Sequence, residues 1–233
     1  MNFHGKRKAV TFSFDDGVTQ DRRLAELFNR YGMKCTFNIN SDLLGKPGEV
    51  RVAGIPVSHN KISPEEVASL YKGHEVAVHT LTHPRLPEIE DEEEIVRQVD
   101  VDRIQLEKLT GGPVVGMAYP CGGVNNDDRV AEIIGRRTPI RYSRTITSVY
   151  SFEPQTNLLR FNPTVHAIEE EKVFSLAEEF LSLTPDSPKL FYIWGHSYEF
   201  DVGDGWTKFE NLLKMLAGRD DIAYLTNKEA LLG

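Results

Sequence analysis

Short apolar runs alternate along the chain with amphipathic segments that have helical spacing. The first apolar run, Ala9 to Phe14, is followed by leucine and aromatic residues spaced three and four apart, and Gly32 comes just after them. Glycine at that point is typical of a helix end, because it adopts the left-handed backbone that ends many helices. This strand-then-helix order recurs to the C-terminus and predicts parallel strands joined by crossover helices.

The remaining apolar runs predict the rest of a parallel sheet. A polar, glycine-rich stretch from Ser41 to Ile62 interrupts the alternation and predicts a loop or a hairpin insertion. We expect seven or eight strand–helix units in a closed or nearly closed β/α barrel, with an open doubly wound sheet as the alternative. The further strand candidates are 34–40, 74–79, 114–119, 190–195 and 222–225, with weaker ones in IRYSR (140–144) and LLRF (158–161).

Length, charge and cysteine content narrow the class of protein. The 233 residues, 40% of them hydrophobic, suit one domain spanning 1–233. A net charge of −8 argues against a nucleic-acid partner, and no apolar run reaches the about 18 residues of a membrane span. The basic N-terminal segment lacks the apolar region of a signal peptide, so we expect a cytoplasmic protein. Cys35 and Cys121 form neither a disulfide framework nor a CxxC metal site.

Residues capable of chemistry stand where several predicted strands end. The carboxyl ends of parallel barrel strands lie on one rim, and this rim carries the active sites of such folds. Residues far apart in the sequence should therefore meet there. They are Asp15 and Asp16 after the first strand, His79 and His83 after the third, Cys121 after the fourth and His196 after a late strand.

The acidic pair and the two histidines are compatible with a metal centre. Imidazole and carboxylate groups are ordinary zinc ligands, so two histidines and one aspartate make a three-ligand site. The second aspartate could then stay ionised and accept a proton from water. Alternatively, the acidic pair caps the helix that follows. We assign no function to the other histidines, His4, His59, His74 and His166.

Four motifs, TFSFDDG, HTLTH, YPCGG and FYIWGH, occur in this order between residues 8 and 200. Together they resemble the polysaccharide deacetylase family, which is also called the NodB-homology domain or carbohydrate esterase family 4. The resemblance implies a distorted β/α barrel and metal-dependent removal of acetyl groups from N-acetylated sugars or oligosaccharides, by attack of metal-bound water. It implies a divalent metal, with Zn²⁺ favoured over Co²⁺, Ni²⁺, Mn²⁺ or Fe²⁺. Oligomeric state stays open.

The resemblance also implies a role for each motif residue. Asp15 would be the general base and His196 the general acid that protonates the leaving amine. The backbone N–H of Cys121 would help to stabilise the oxyanion. The metal ligands would be Asp16, His79 and His83.

Two departures from the family pattern lead to further hypotheses. The third motif usually has an arginine that pairs with the base, and here that position is Ala118. Arg144 could reach into this space and hold Asp15, or it could be a surface arginine on a weak strand. The fourth motif, which orients the late histidine, is not recognisable between residues 139 and 149. Either Glu199 or Asp201 could replace it, or both could be solvated loop acids.

These departures keep other functions open. A hydrolase of another C–N bond, such as a cyclic amide or a ureide, is one alternative to the deacetylase. A catalytically silent carbohydrate-binding domain is another. The presence of both Asp15 and His196 argues against the silent domain, since binding alone needs neither a base nor an acid.

Overall fold

A computed structural model describes residues 3–233; residues 1 and 2, which begin the N-terminal segment assessed above, lie outside this range. Eight strands form the main sheet, and every pair of neighbours in it is parallel. These strands are β1 (Lys8–Asp15), β2 (Thr36–Ile39), β5 (Glu75–Val78), β6 (Gly116–Ala118), β7 (Tyr142–Arg144), β8 (Val165–His166), β9 (Lys189–Gly195) and β10 (Ile222–Leu225).

The sheet order is β7-β6-β5-β2-β1-β9-β8, and β10 pairs with the first half of β1. Phe161 links the outer part of the sheet through a parallel bridge to Arg144, with its N–H donating to the carbonyl of Ser143 at 2.9 Å. The predicted distorted β/α barrel is therefore confirmed. The strand predicted at LLRF is wrong, because Leu158–Arg160 forms a 3₁₀ turn and only Phe161 pairs.

The helices cover the outside of the sheet. After β5, α3 (Glu92–Val96) and α4 (Asp102–Thr110) are joined by a π-helical turn, Arg97–Val101. The N–H of Leu81 donates to the carbonyl of Gln98 in that turn at 2.8 Å, which gives this carbonyl a partner outside the helix. The helices are α1 (Asp21–Arg30), α2 (Val67–Leu70), α3 (Glu92–Val96), α4 (Asp102–Thr110), α5 (Asp128–Arg137), α6 (Glu170–Ser182), α7 (Gly205–Leu216) and α8 (Asn227–Leu232).

All eight residues of β1 are buried, because helices pack on one side of it and the barrel interior lies on the other. Phe12 packs on Phe28 of α1 with ring centroids 4.8 Å apart, and Phe14 packs edge-on against Phe209 of α7 at 5.5 Å. Burying each such side chain contributes roughly 1.5–3 kcal/mol. This packing fixes the strand whose last residue is Asp15.

The insertion between β2 and β5 contains an antiparallel hairpin of β3 (Glu49–Val52) and β4 (Ile55–Ser58). Val57 of this hairpin packs with Val18 and Tyr198 in a small apolar cluster beside the rim. The chain then returns along the end of β1, where Ile62 donates its N–H to the carbonyl of Gly17 at 2.9 Å. Among residues 3–233, the helices are all too short or too polar to cross a bilayer.

Candidate active site

The strand ends do converge, and they surround a cavity of about 220 Å³ at the carboxyl rim of the sheet. Helix and strand packing place side chains from β1, β5, β6 and β9, or from the loops directly after them, around this one space. The six residues assigned a motif role all line it: Asp15, Asp16, His79, His83, Cys121 and His196.

Asp16, His79 and His83 form a group that could hold a metal ion, with one ligand atom from each residue within 4.8 Å of the others. Oδ1 of Asp16 lies 3.7 Å from Nε2 of His79 and 3.5 Å from Nε2 of His83. Ligands about 2.0–2.2 Å from a tetrahedral ion have similar mutual spacing. The three atoms therefore have the separations that one small cation requires.

The hydrogen bonds around these residues fit a cation as well. Oδ1 of Asp16 is buried and has no hydrogen-bond partner within residues 3–233, an arrangement that costs free energy unless a further group binds there. Nδ1 of His79 donates to the carbonyl of Ala118 at 2.9 Å, which leaves the lone pair on Nε2 facing the site. Burial lowers the pKa of both histidines, that of His83 to about 4, so both present neutral imidazole.

Asp15 is buried against an arginine from another strand. Arg144, itself fully buried, donates through its guanidinium to Oδ2 of Asp15, and through Nε to the hydroxyl of Ser13 at 3.1 Å. The amide of Asn38 donates to Oδ1 of Asp15 at 2.8 Å. Burial raises the pKa of Asp15, but Arg144 and the nearby His79 outweigh this and hold the pKa below its usual value. Asp15 is thus kept ionised inside the protein.

His196 lies opposite Asp15, with Nε2 4.0 Å from Oδ2 of the aspartate. Its other ring nitrogen, Nδ1, is 3.2 Å from Oε1 of Glu199, in the short turn Ser197–Asp201. Burial lowers the pKa of His196, but the carboxylate of Glu199 outweighs it and raises the pKa to about 9. His196 is therefore protonated at neutral pH, as a general acid must be.

Of the two acids that could orient His196, only Glu199 contacts it within the described chain. Asp201 faces away: Oδ1 accepts from the indole of Trp206 at 2.7 Å and Oδ2 accepts from the amide of Gln20 at 2.7 Å. The hypothesis that Asp201 orients His196 is therefore wrong.

His59 and Lys61, for which no function was expected, both contact Asp16. Nε2 of His59 lies 3.1 Å from Oδ2 of Asp16, and the buried ammonium of Lys61 donates to the backbone carbonyl of Asp16 at 2.7 Å. Burial raises the pKa of Asp16, but His59 and Lys61 outweigh it and hold the pKa well below its usual value. No motif signals these two residues, because they come from the insertion between β2 and β5.

Left-handed backbone recurs at the site. Asp16, His83 and Cys121 have φ angles of 85°, 63° and 68°. Such conformations cost roughly 1–3 kcal/mol at residues other than glycine and persist where the surroundings hold them, often at functional sites. Burial raises the pKa of the Cys121 thiol, with Arg85 partly opposing it, so Cys121 is poorly suited to act as a nucleophile.

Comparison with known proteins adds to this geometry. The family model described as "Polysaccharide deacetylase" matches residues 4–137, which is more than half of the chain. The chain belongs to the polysaccharide deacetylase family. No curated protein gave a significant match. The matched region of the polysaccharide deacetylase model includes Asp15, Asp16, His79, His83 and Cys121, whereas Arg144, His196 and Glu199 lie beyond it.

Solved structures share the fold at low sequence identity. "T48 deacetylase with substrate" has 16% identity and a TM-score of 0.62, over 100% of this chain and 94% of that one. The family 4 carbohydrate esterase from Streptomyces lividans, in complex with acetate, has 12% identity and a TM-score of 0.57, over 94% and 92%.

A mutant of BA3943, a CE4 family pseudoenzyme from Bacillus anthracis, has restored enzymatic activity, and its structure is also similar. It has 16% identity and a TM-score of 0.61, over 97% of this chain and 68% of that one. Polysaccharide deacetylase folds with and without activity are therefore both similar to this chain.

Proposed function

We propose that this chain is a metal-dependent deacetylase that removes an acetyl group from an N-acetylated sugar or oligosaccharide, and that residues 1–233 act as a single domain. One observation carries the proposal. The ionised Asp15 and the protonated His196 face each other at 4.0 Å beside the Asp16, His79 and His83 group. A base, a metal site and an acid around one space are the groups that amide hydrolysis needs.

Asp16, His79 and His83 would hold the metal, and two nitrogen ligands with one oxygen ligand favour Zn²⁺ among the divalent ions. When bound, the cation would polarise the acetyl carbonyl and lower the pKa of a water molecule. Oδ1 of Asp16 accepts no hydrogen bond from the described residues, while the ammonium of Lys61 lies 3.5 Å from it and His59 contacts Oδ2.

The remaining steps belong to the protein's own residues. Asp15, kept ionised by Arg144, accepts the proton of the attacking water. The backbone N–H of Cys121 donates to the carbonyl oxygen as negative charge develops there. His196 then donates its proton to the amine nitrogen as the C–N bond breaks, so that acetate and a free amine leave the site.

The size of the cavity favours a small substrate unit. Its volume of about 220 Å³ is below the roughly 300–1,000 Å³ of typical small-molecule sites. It suits the acetamido group and one sugar ring, with any further sugars outside. Trp194 and Tyr198 add aromatic side chains to the cavity wall.

Metal analysis and acetate release test the proposal. We expect about one zinc per chain, and acetate release from at least one member of a panel of N-acetylated mono- and oligosaccharides. Asp15→Asn should lower kcat by about 10²-fold or more, since a positioned base contributes about 10²–10⁴-fold. A chain without bound metal, or an Asp15→Asn variant with unchanged turnover, would contradict the mechanism. If the protein hydrolysed only cyclic amides or ureides, these compounds, and not N-acetylated sugars, would be its substrate class.

A catalytically silent carbohydrate-binding domain is the second candidate, favoured by the similarity to a pseudoenzyme and by Ala118 at the family's arginine position. The two functions differ in one measurement. A silent domain would bind N-acetylated sugars in calorimetry without releasing acetate, even when loaded with metal.

A further inference from the structure

Glu199 contacts two histidines from different parts of the chain. Its Oε1 lies 3.2 Å from Nδ1 of His196. Its Oε2 accepts from the backbone N–H of His196 at 3.0 Å and lies 2.9 Å from Nε2 of His166. Both carboxylate oxygens are therefore engaged, and His166 is the contact that comes from outside the His196 turn.

His166 is held firmly enough to act as a fixed donor. It lies in β8, paired in parallel register with Trp194 of β9. The imidazole stacks on the indole of Trp194, with ring centroids 4.1 Å apart and planes 15° apart. Its backbone N–H donates to Oε1 of Glu169 at 3.1 Å. Stacking fixes the ring plane and thereby the direction of Nε2.

The source of each contact decides what keeps Glu199 in place. Glu199 follows His196 by three residues, so its two contacts with His196 tie it only to the residue that it should orient. The bond from His166 connects it to the sheet. The same indole of Trp194 also lies 4.6 Å from the guanidinium carbon of Arg144, the partner of Asp15. Arg144, the partner of Asp15, and His166, the partner of Glu199, thus both contact Trp194.

We propose that His166 is a positioning residue: its Nε2–H holds the carboxylate of Glu199, and through it the imidazole of His196 faces the leaving amine. This inference rests on the proposed function, in which His196 is the general acid. It assigns a role to a histidine for which the sequence carries no motif. His166 does not touch substrate and acts only through Glu199.

Three substitutions separate the hydrogen bond from packing. His166→Gln keeps an N–H donor, His166→Phe keeps the aromatic stack on Trp194 without a donor, and His166→Ala keeps neither. We expect His166→Phe and His166→Ala to lower kcat of the metal-loaded enzyme by about 10–100-fold, with KM within about threefold, because misplacement of a catalytic group by 1 Å can cost 10²-fold. His166→Gln should retain most of kcat. Wild-type kcat in His166→Phe would overturn the proposal, because packing alone would then suffice.

A spectroscopic measurement makes the test independent of turnover. In ¹⁵N spectra of the metal-loaded protein, Nδ1 of His196 should report its 3.2 Å contact with the carboxylate of Glu199, with Glu199→Gln as the reference for loss of the carboxylate charge. We expect His166→Phe to shift this resonance toward the Glu199→Gln position and His166→Gln to leave it near the wild-type position. An unshifted resonance in His166→Phe would overturn the proposal. If wild type releases no acetate, the proposed function fails, while this measurement still decides the role of His166.

Discussion

Arg144 donates a hydrogen bond to the carboxylate of Asp15 across 129 residues of sequence. In the sheet, Arg144 lies directly beside Ala118 in the parallel register of β6 and β7. An arginine on β7 thus fills the space next to the position where the family pattern has its arginine on β6. The guanidinium also donates to the hydroxyl of Ser13 and to the carbonyl of Thr145, at 3.1 and 2.9 Å, so its position is fixed.

Replacing Arg144 should impair both stability and turnover. Arg144→Ala leaves a buried carboxylate unpaired, which typically costs about 3–5 kcal/mol of unfolding free energy. It also removes the cation that lowers the pKa of Asp15, so the acidic limb of kcat/KM should move to higher pH. Denaturant unfolding and pH–rate profiles of the metal-loaded enzyme measure the two effects.

Two further variants serve as an intermediate case and as a control. Arg144→Lys keeps the charge but cannot supply all three bonds, so it should fall between wild type and Arg144→Ala. Arg141→Ala removes an exposed arginine near the start of the same strand and should match wild type. An unchanged pH profile in Arg144→Ala would mean that Arg144 does not govern the ionisation of Asp15.

The strand ends were predictable because the spacing of apolar residues and the composition reveal the strands, and the carboxyl ends of parallel strands lie on one rim. Asp15, Asp16, His79, His83, Cys121 and His196 therefore line one cavity as expected. The contact between Arg144 and Asp15 could be stated only as a hypothesis. It depends on the register of β6 and β7, which brings the side chain of Arg144 to the space beside Ala118.

Residues outside regular motifs could not be predicted in this way. His166 lies in a two-residue strand, too short for any periodic signal, and His59 follows a hairpin whose path over the rim depends on tertiary packing. The π-helical turn Arg97–Val101 could not be predicted for a similar reason. It is accompanied by a hydrogen bond from Leu81, a loop residue that the helical pattern does not contain.

His59 should strengthen metal binding through Asp16. It contacts Oδ2 of Asp16 at 3.1 Å, while Oδ1 faces His79 and His83. Partners that orient a metal ligand typically contribute 10–100-fold in affinity, so His59→Ala should raise the Kd for Zn²⁺ by about that factor. Isothermal titration of the metal-free protein measures it. His4→Ala, at an exposed position, is the control, and equal Kd values for His59→Ala and wild type would refute the prediction.

Replacing Gly17 should lower the free energy of unfolding for two reasons, its backbone conformation and a close contact. Its φ is +62°, and a Cβ there would lie 2.8 Å from Cγ2 of Ile39. Gly32 has nearly the same φ, +64°, with nothing within 4 Å of its Cβ position, so it is a matched control. Gly32→Ala should cost the left-handed conformation alone, about 1–2 kcal/mol. Gly17→Ala should cost about 1–3 kcal/mol more through overpacking.

The same pair of variants should also differ in metal binding. Gly17 follows Asp16 directly, so a shift forced by the contact with Ile39 displaces a proposed ligand. We expect weaker zinc binding in Gly17→Ala and unchanged binding in Gly32→Ala, each measured beside thermal unfolding. Equal losses of stability in the two variants would show that the contact with Ile39 is relieved without cost.

Asp21 should make stability depend on pH. This buried carboxyl accepts from the hydroxyls of Ser197 and Tyr71, at 2.5 and 2.7 Å. Burial outweighs these bonds and raises the pKa of Asp21 to about 7. The folded protein therefore binds this proton more tightly than the unfolded chain, whose aspartate pKa is about 3.9. The contribution of Asp21 to stability is full below about pH 4 and is lost as the pH rises to about 7, by at most about 1.4 kcal/mol per pH unit.

Asp21→Asn should remove this slope, because the amide stays neutral while it still reaches both hydroxyls. Asp102, whose burial also raises its pKa to about 7, adds a slope of its own, so the difference between wild type and variant isolates Asp21. Tyr71→Phe deletes a bond that favours the ionised form and should extend the slope above pH 7. Urea unfolding of the metal-loaded protein from pH 4 to 8 measures all three. If the difference between wild type and Asp21→Asn is constant over this range, the proton on Asp21 is not linked to folding.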